Sequence, residues 1–273
     1  MTSTFRDAAL FWRSPLLPDT ELLTAQDFTH EFAPHWHEGF VIPVIQSGAL
    51  GYHYRGARCV AASGSIAAIN PGEINSGERA VDKGCAYRAF YPSLAWMQQL
   101  ASDMAGRAVG VPWLPDAAIE DGEVAVQLGR AHRMLEAGTD ALAVQTALTG
   151  AFALLLARHA QNGRPPAPVH ADAVRVERMK AALSEALAEP LTLTHLAARV
   201  GLSPFHAARL FSRAVGMPPH AWRNQLRLNR ARSLLRQGVA LAQVAAATGF
   251  VDQSHFSRHF KRAYGVAPGR WRP

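Results

Sequence analysis

Two arginines, Arg209 and Arg258, hold equivalent places in a pattern that occurs twice near the C-terminus. A guanidinium group can donate two hydrogen bonds to O6 and N7 of guanine, so both residues are candidates for reading a base in double-stranded DNA. Gln253 and Ser254 precede Arg258 in the first turn of a predicted helix, the part of a recognition helix that usually meets base edges. These residue types and their spacing indicate sequence-specific DNA binding.

The other candidate DNA-binding residues lie on the outward faces of predicted helices. The full set is Phe205, Ala208, Arg209, Ser212, Arg213, Arg223, Arg227, Gln253, Ser254, Ser257, Arg258 and Lys261. Phe205 could meet a thymine methyl group or pack beside a turn. Arg223 and Arg227 could contact phosphates or belong to a solvated or salt-bridged helix face.

The elements that carry these residues form an internal repeat of two helix-turn-helix units. Residues 196–202 align with residues 244–250 at an offset of 48, and residues 209–211 align with 258–260 at an offset of 49. The second turn therefore contains one extra residue. Two similar units at one spacing are far less expected by chance than a single short motif.

Helical spacing and capping residues predict six helices in this part of the chain. The first contains Val176 to Leu187, and the others span residues 191–200, 204–215, 220–237, 241–248 and 253–264, with Asp172, Thr192, Ser203 and Asp252 as caps. The predicted buried faces carry Ala207, Leu210, Phe211 and Ala214 in the first unit and Phe256, Phe260 and Ala263 in the second. The helix between the units would be about 27 Å long, comparable with the roughly 34 Å between successive major-groove segments on one face of a duplex.

Charge is distributed unevenly along the 273 residues. From Val174 onward there are 16 Lys and Arg against 4 Asp and Glu, a net charge of +12, whereas residues 1–173 hold 12 against 17, a net charge of −5. A basic half joined to an acidic half indicates a polyanion-binding module attached to a second function. Loop-punctuated helices favour nucleic acid over a membrane surface as the polyanion.

Composition narrows the class of protein. With 49% hydrophobic residues the chain can form buried cores. No signal peptide is read at the N-terminus, and the most apolar stretch, Ala151–Ala157, is predicted to be too short to span a bilayer. Cys59 and Cys85 lack metal-type spacing. These features predict a cytoplasmic protein without a membrane partner.

The second unit resembles the signature of AraC/XylS-type transcription regulators. The residues that carry the resemblance run from Gly249-Phe250 through Asp252, Ser254-His255-Phe256-Ser257-Arg258, Phe260-Lys261-Arg262, Gly265 and Pro268 to Trp271-Arg272, with tryptophan where tyrosine is commoner in the family. The resemblance implies a seven-helix domain and direct regulation of transcription, often through contact with RNA polymerase.

The acidic half is predicted to contain short β-strands, including residues 40–45, 49–54 and 65–69. His35-Trp36-His37-Glu38, Gly48, Gly64 and residues 70–75 resemble a cupin barrel of the kind found in AraC-type sensor domains. The predicted fold class is therefore α+β with two domains. A cupin-like β-barrel with accessory helices spans residues 1–162, a linker spans 163–171, and an all-α tandem helix-turn-helix domain spans 172–273.

The barrel resemblance does not predict a metal site. His35 and His37 stand where metal-binding cupins place two histidines, but Val41 and Ile42 occupy the region of the glutamate and Asn75 replaces the last histidine. A neutral amide is a poor ligand for a transition metal compared with imidazole. We therefore expect no metal, no cofactor and no catalytic residues.

A barrel of this size can instead hold one small organic effector. The candidate ligand-binding residues are His35, His37, Glu38, Tyr52, Tyr54, Asn75 and Arg88. His37 and Asn75 are the strongest because they map onto inward-facing cupin positions. The alternative is that these residues serve turns or the barrel rim.

Residues 93–162 are predicted to be helical. Two runs of apolar residues keep helical spacing: Val124, Leu128, Ala131 and Leu135, and then Leu142, Ala147, Ala151, Leu154 and Leu155. Helices at this place in AraC-type sensors commonly form a homodimer contact, and core packing within the monomer is the alternative. The leading hypothesis is an effector-responsive transcription regulator. Its rivals are a metal-dependent cupin enzyme fused to a DNA-binding domain, and a constitutive DNA-binding protein whose N-terminal half only dimerises.

Overall fold

A computed structural model describes residues 8–17, 19–81, 84–138, 140–162, 171–185 and 187–271. The chain divides into two compact units, Met1–Pro165 and Pro166–Pro273. The division falls inside the predicted linker, of which residues 163–170 lie outside the described part.

The N-terminal unit is built mainly from antiparallel strands. They are β1 (Ala8–Trp12), β2 (Glu21–Phe28), β3 (Phe32–His35), β4 (Ile42–Ser47), β5 (Ala49–Tyr54), β6 (Ala57–Ala62), β7 (Ile66–Ala67), β8 (Asn75–Arg79), β9 (Cys85–Tyr91), β10 (Pro112–Trp113), β11 (Ala118–Ile119) and β12 (Gln161–Asn162). One sheet has the order β1-β2-β9-β4-β7-β11 and a second has the order β3-β8-β5-β6, while β10 pairs with β12.

The hairpin of β5 and β6 shows how local sequence builds the smaller sheet. Tyr54 pairs with Ala57 across a two-residue loop, and both loop residues, Arg55 and Gly56, have positive φ angles of 51° and 79°. Positive φ at both central positions is the type I′ arrangement, whose twist matches that of the flanking strands.

Sequence periodicity predicted the strands to different accuracy. The strand at 49–54 is confirmed residue for residue, whereas the strand predicted at 40–45 runs over Ile42–Ser47. The segment predicted at 65–69 contains the short strand Ile66–Ala67 and a single bridge between Val41 and Ile69.

Three helices cover one face of the larger sheet: α1 (Leu94–Ala105), α2 (Gly122–Glu136) and α3 (Ala141–His159). One hydrophobic core joins them to the strands, with Phe90, Leu128 and Phe152 among its fully buried members. The helical spacing of Val124, Leu128, Ala131 and Leu135 is confirmed, since all four are buried. Leu142 is an error of the periodic assignment, because it is 72% exposed.

The predicted length of the most apolar stretch is corrected by helix α3, which contains that stretch. The stretch Ala151–Ala157 is part of a 19-residue helix that is long and apolar enough to cross a membrane by length and composition. Six of its side chains are buried, including Val144, Leu148 and Phe152, which belong to the core. Core helices also meet such a criterion, so a single helix of this kind is weak evidence for a membrane span.

The described residues of the C-terminal unit form helices joined by turns and short loops. Its elements are α4 (Ala171–Ser184), α5 (Leu193–Ala198), α6 (Pro204–Val215), α7 (Pro219–Arg236), α8 (Leu241–Ala247), α9 (Gln253–Tyr264) and a 3₁₀ helix (Pro268–Arg270). The described part thus holds six α-helices and one 3₁₀ helix where the resemblance implied seven helices. Asp172 lies inside the first turn of α4 rather than capping it, and Leu187 lies beyond its end.

The sequence repeat is a structural repeat. Ser203 and Asp252 cap α6 and α9 by accepting a backbone N–H three residues on, and both helices end at a glycine with positive φ. Phe211 packs edge-on against Trp222, and the equivalent Phe260 packs edge-on against Trp271, with ring centroids 5.9 Å and 5.3 Å apart. The same packing solution is therefore used in both units.

Candidate DNA-binding surface and ligand site

Helix α9 separates an apolar face from a polar face. Phe256, Phe260 and Ala263 are buried as predicted. The candidate DNA-binding residues of this helix lie on the other side: Gln253, Ser254, Arg258 and Lys261 are exposed and Ser257 is half-buried. The helix therefore presents two amide or hydroxyl groups in its first turn, followed by two cations.

Helix α6 has the same plan with fewer hydrogen-bonding groups. Arg209 and Arg213 are exposed, while Ala208 and Ser212 are half-buried. Phe205 is 65% exposed, and its ring meets that of the neighbouring His206 edge-on at 5.5 Å between centroids. The buried face is narrower than predicted, because Leu210 is half-buried and Ala214 is exposed.

Arg223 and Arg227 do not behave as free phosphate-binding groups. Arg223 is 7% exposed and its Nη2 donates to the carbonyl of Glu189 at 2.7 Å. The half-buried Arg227 donates from Nε to the carbonyl of Leu187 at 2.9 Å. Burial lowers the pKa of both guanidinium groups. Both side chains thus make structural contacts within the fold. Burial leaves little of Arg223 for a phosphate, whereas the phosphate contact predicted for Arg227 stays a prediction. We call these two arginines and the carbonyls of Leu187 and Glu189 the arginine clamp.

The histidines of α9 belong to an aromatic cluster. His255 and His259 meet edge-on at 4.6 Å between ring centroids, and both contact the ring of Phe250. Burial lowers the pKa of His259, as do the neighbouring His255 and Arg262. These contacts support the predicted packing role of the two histidines.

In the N-terminal unit, three candidate residues form a row across the smaller sheet. His35 of β3 pairs with Asn75 of β8, which also pairs with Tyr54 of β5. Directly paired residues project from the same face of a sheet, and all three are buried. Asn75 donates from Nδ2 towards the carbonyl of His35 at 3.4 Å.

His37 lies at one end of this row. Its ring contacts His35 at 4.8 Å and Tyr91 at 5.5 Å between centroids, and it is 8% exposed. Its Nδ1 is buried and has no hydrogen-bond partner among the described residues. Burial and the adjacent His35 hold the pKa of His37 well below its usual value, so the ring is neutral near pH 7. A buried ring nitrogen without a partner can accept or donate a hydrogen bond to a bound molecule.

The hydroxyl groups of Tyr52 and Tyr54 already form hydrogen bonds within the domain. Tyr54 donates to Glu73 at 2.5 Å and accepts from the backbone of Asn70 at 3.0 Å, and burial raises its pKa to about 12. Tyr52 donates to the carbonyl of Ala117. Their hydroxyl groups tie β5 to neighbouring loops, so only the rings remain available to line a site.

Two predicted ligand-binding residues face elsewhere. Glu38 is exposed. Arg88 lies on the face of β9 that meets α2, where its Nη1 contacts Glu136 and approaches His132 Nδ1 at 3.2 Å. Alternation along the strand explains the error, because residue 88 has the opposite parity from Tyr87 and Tyr91.

The described residues contain no group of three or more His, Cys, Asp or Glu side chains that could hold a metal ion. His35 uses Nδ1 on the carbonyl of Ala33 at 2.8 Å. Asn75 supplies an amide where a third nitrogen ligand would be needed, which fits hydrogen bonding better than metal coordination.

Comparisons with known proteins match both parts of the chain to known domain families. Residues 17–152 match a family model described as AraC-like ligand binding domain, and residues 196–273 match one described as Helix-turn-helix domain. The HTH-type transcriptional regulator YbfI of Bacillus subtilis is 26% identical over 225 residues, which are 82% of this chain and 81% of that protein. The HTH-type transcriptional activator RhaR of Klebsiella pneumoniae is 29% identical over 184 residues, 64% of each chain.

The chain belongs to the AraC family of transcription regulators. Its fold is also that of a solved structure: apo ToxT K231A from Vibrio cholerae aligns over 98% of this chain and 96% of its own with a TM-score of 0.55, at 12% identity. The AraC-family assignment confirms the predicted fold class, a β-rich ligand-binding domain followed by a helical DNA-binding domain.

One residue next to the candidate ligand-binding residues was not singled out in the sequence. Tyr91 contacts His37 and lies three positions from Arg88 on the same strand. The burial pattern of β9 alternates at its start, with Cys85 and Tyr87 buried and Ala86 and Arg88 half-buried. Choosing residues of a single parity along Cys85–Tyr91 would have found Tyr91.

Proposed function

We propose that this AraC-family regulator binds specific double-stranded DNA through α6 and α9, under the control of a small molecule held at the buried face of His35, His37 and Asn75. The observation that carries the DNA-binding part is the pair Arg209 and Arg258, which are exposed at equivalent positions of two capped helices. The unit around them has a large positive charge, which favours association with phosphates.

Genome-wide mapping of the DNA sites bound by the protein in cells tests this proposal. The expected result is a set of sites that share one sequence and lie upstream of genes. Binding spread evenly over the genome, with no shared sequence, would exclude specific recognition. The genes beside the sites would in turn nominate the effector.

For the effector, the carrying observation is the unpartnered Nδ1 of the buried His37. A thermal-shift screen of metabolites on the full chain should find a compound that raises the melting temperature, since a ligand at a hundred times its Kd adds about 2.7 kcal/mol to stability. His37→Ala should abolish that shift, while Glu38→Ala, the exposed neighbour, should keep it.

Two outcomes would favour the rivals. A screen in which no metabolite stabilises the protein would favour a constitutive DNA-binding protein. Stoichiometric iron, manganese or zinc in the purified protein would favour a metal-dependent cupin enzyme. An effector acts by binding one arrangement of the protein better than another, and this shifts occupancy of the DNA.

Self-association and contact with RNA polymerase in the cytoplasm complete the proposal. Helix α3 supports the first point, because no Asp, Glu, Lys or Arg occurs from Ala141 to Ala157 and Leu142 is 72% exposed. Sedimentation of the full chain should show a dimer that Leu142→Lys dissociates. A monomer at all concentrations would remove this part of the proposal.

A further inference from the structure

The turn of the second helix-turn-helix unit touches the connection between α4 and α5. Gly249 has a φ of +77°, and a Cβ added there would lie 2.8 Å from both the Cα of Ala188 and the carbonyl oxygen of Leu187. Contacts this short with backbone atoms leave no room for even a methyl group. The turn of the second unit is thus in direct backbone contact with the segment that leads into the first unit, in addition to the connection through α7.

The arginine clamp closes the same contact from the side of α7. The hypothetical Cβ of Gly249 would also lie 3.0 Å from Nη2 of Arg227, whose Nε donates to the carbonyl of Leu187. Arg223 holds the carbonyl of Glu189 one turn earlier on the same helix. The short segment that leads into the first unit is therefore bound by the connecting helix α7 and contacts the turn of the second unit.

The equivalent glycine of the first unit makes no such contact. Gly201 has a similar φ of +65°, but within the described part of the chain no atom lies within 4 Å of a Cβ built there. The repeat thus offers two turn glycines with equal backbone strain and different surroundings.

We propose that Arg223, Arg227 and Gly249 are positioning residues that fix the separation of α6 and α9, and so set the half-site spacing that the protein accepts in DNA. This inference rests on the proposed DNA-binding function. Two rigidly connected recognition helices bind tightly only when the spacing of the two half-sites in the DNA matches their own separation. Two loosely connected helices gain less affinity at the best spacing and tolerate other spacings.

The test compares the affinity of the full-length protein for two duplexes. The first is the sequence that the parent selects from random duplexes, and the second has one base pair inserted between its half-sites. The insertion rotates one half-site by about 35° and moves it by about 3.4 Å relative to the other. The measured quantity is the ratio of the two affinities, which a general loss of stability or charge does not change.

The parent should lose roughly tenfold or more in affinity on insertion, because α6 and α9 can no longer bind both half-sites at once. Gly249→Ala and Arg227→Ala should lose about threefold or less. The matched controls, Gly201→Ala and the exposed Arg230→Ala, should keep the parental ratio. Arg227→Lys retains a donor for Leu187 and should lie between.

Parental ratios in Gly249→Ala and Arg227→Ala would overturn the inference, even if both variants bound more weakly overall. If circular dichroism shows that Arg227→Ala does not fold, the affinity ratios of Arg227→Lys, Gly249→Ala and Gly201→Ala test the inference instead. A parent that selects no sequence from the random duplexes would instead refute the proposed function.

Discussion

At the scale of single residues, Arg258 and Lys261 lie about one turn apart on the exposed face of α9. Arg258 matches the geometry of guanine, whereas the lysine ammonium is a point charge suited to phosphate. Arg258→Ala should cost about 1–3 kcal/mol of specific binding and relax the preference at one base position. Lys261→Ala should weaken all sequences alike and reduce the salt slope of log K by about one.

Titrations of target and random duplexes at several salt concentrations would measure both effects. Unchanged discrimination in Arg258→Ala would show that the arginine does not read a base. The same measurement on Arg209→Ala tests the equivalent residue of α6.

Phe205 is an exposed ring at the beginning of α6. We expect it to contact the methyl group of a thymine, since apolar contact with that methyl is one of the direct readout modes. Replacing thymines one at a time with deoxyuridine removes only the methyl group. One such replacement should weaken binding of the parent and leave Phe205→Ala unaffected. A parent indifferent to every replacement would refute the assignment.

At the scale of elements, the first turn of α9 depends on its cap. Asp252 accepts the backbone N–H of His255 at 2.6 Å, and this turn carries Gln253 and Ser254. Asp252→Ala should destabilise the protein by about 1 kcal/mol and weaken specific binding. Asp252→Asn is the matched control, because it removes the same negative charge but keeps a side-chain oxygen for the cap. Equal losses of specific binding and stability in the two variants would assign the effect to charge.

The contact between α2 and the larger sheet should be sensitive to acid. His132 is fully buried between Trp12 and Phe90, and burial, with the nearby Arg88, lowers its pKa to about 4. The unfolded chain binds a proton near pH 6.5 while the folded chain does not, so stability is complete above that pH and falls as pH decreases towards 4. Burial also lowers the pKa of His35 and His37, which adds to the same trend.

Urea unfolding followed by tryptophan fluorescence between about pH 7 and pH 4 would measure this loss, which is on the order of 2–3 kcal/mol for His132 alone. His132→Leu should flatten the pH dependence over that range. A slope equal to that of the parent would show that the histidine is not the titrating group.

Prediction from the sequence succeeded where one local rule decides an element. Ser203-Pro204 and Asp252 define where α6 and α9 begin, and the buried aromatic residues define their inner faces. It failed where the partner is distant in sequence. The spacing of Arg223 suggests a phosphate ligand, but in the structure its guanidinium group donates to the carbonyl of Glu189, which is 34 residues away in the sequence. Arg88 likewise could be placed only by knowing which face of β9 meets α2.

At the scale of the whole molecule, the two recognition helices differ in the hydrogen-bonding groups that they expose. Helix α6 offers Arg209 beside Phe205 and Ala208, whereas α9 offers Gln253, Ser254, Ser257 and Arg258. Base changes under α9 should therefore cost more, about 1–3 kcal/mol at each hydrogen-bonded position, than most changes under α6. Affinities for a complete set of single-base variants of the selected duplex would show the difference. Equal costs in the two half-sites would contradict it.

The direct contact at Gly249 has a consequence for finding the genes that this protein controls. Operators of dimeric repressors are palindromes because the protein dimer has a two-fold axis. Here the two recognition helices, α6 and α9, lie in one chain and differ in sequence, so they are not identical copies related by such an axis. The bound sequence should therefore lack inverted symmetry within the span of one copy. A genome search that scores inverted repeats within the span of one copy would pass over these sites, so the search pattern for one copy must be directional.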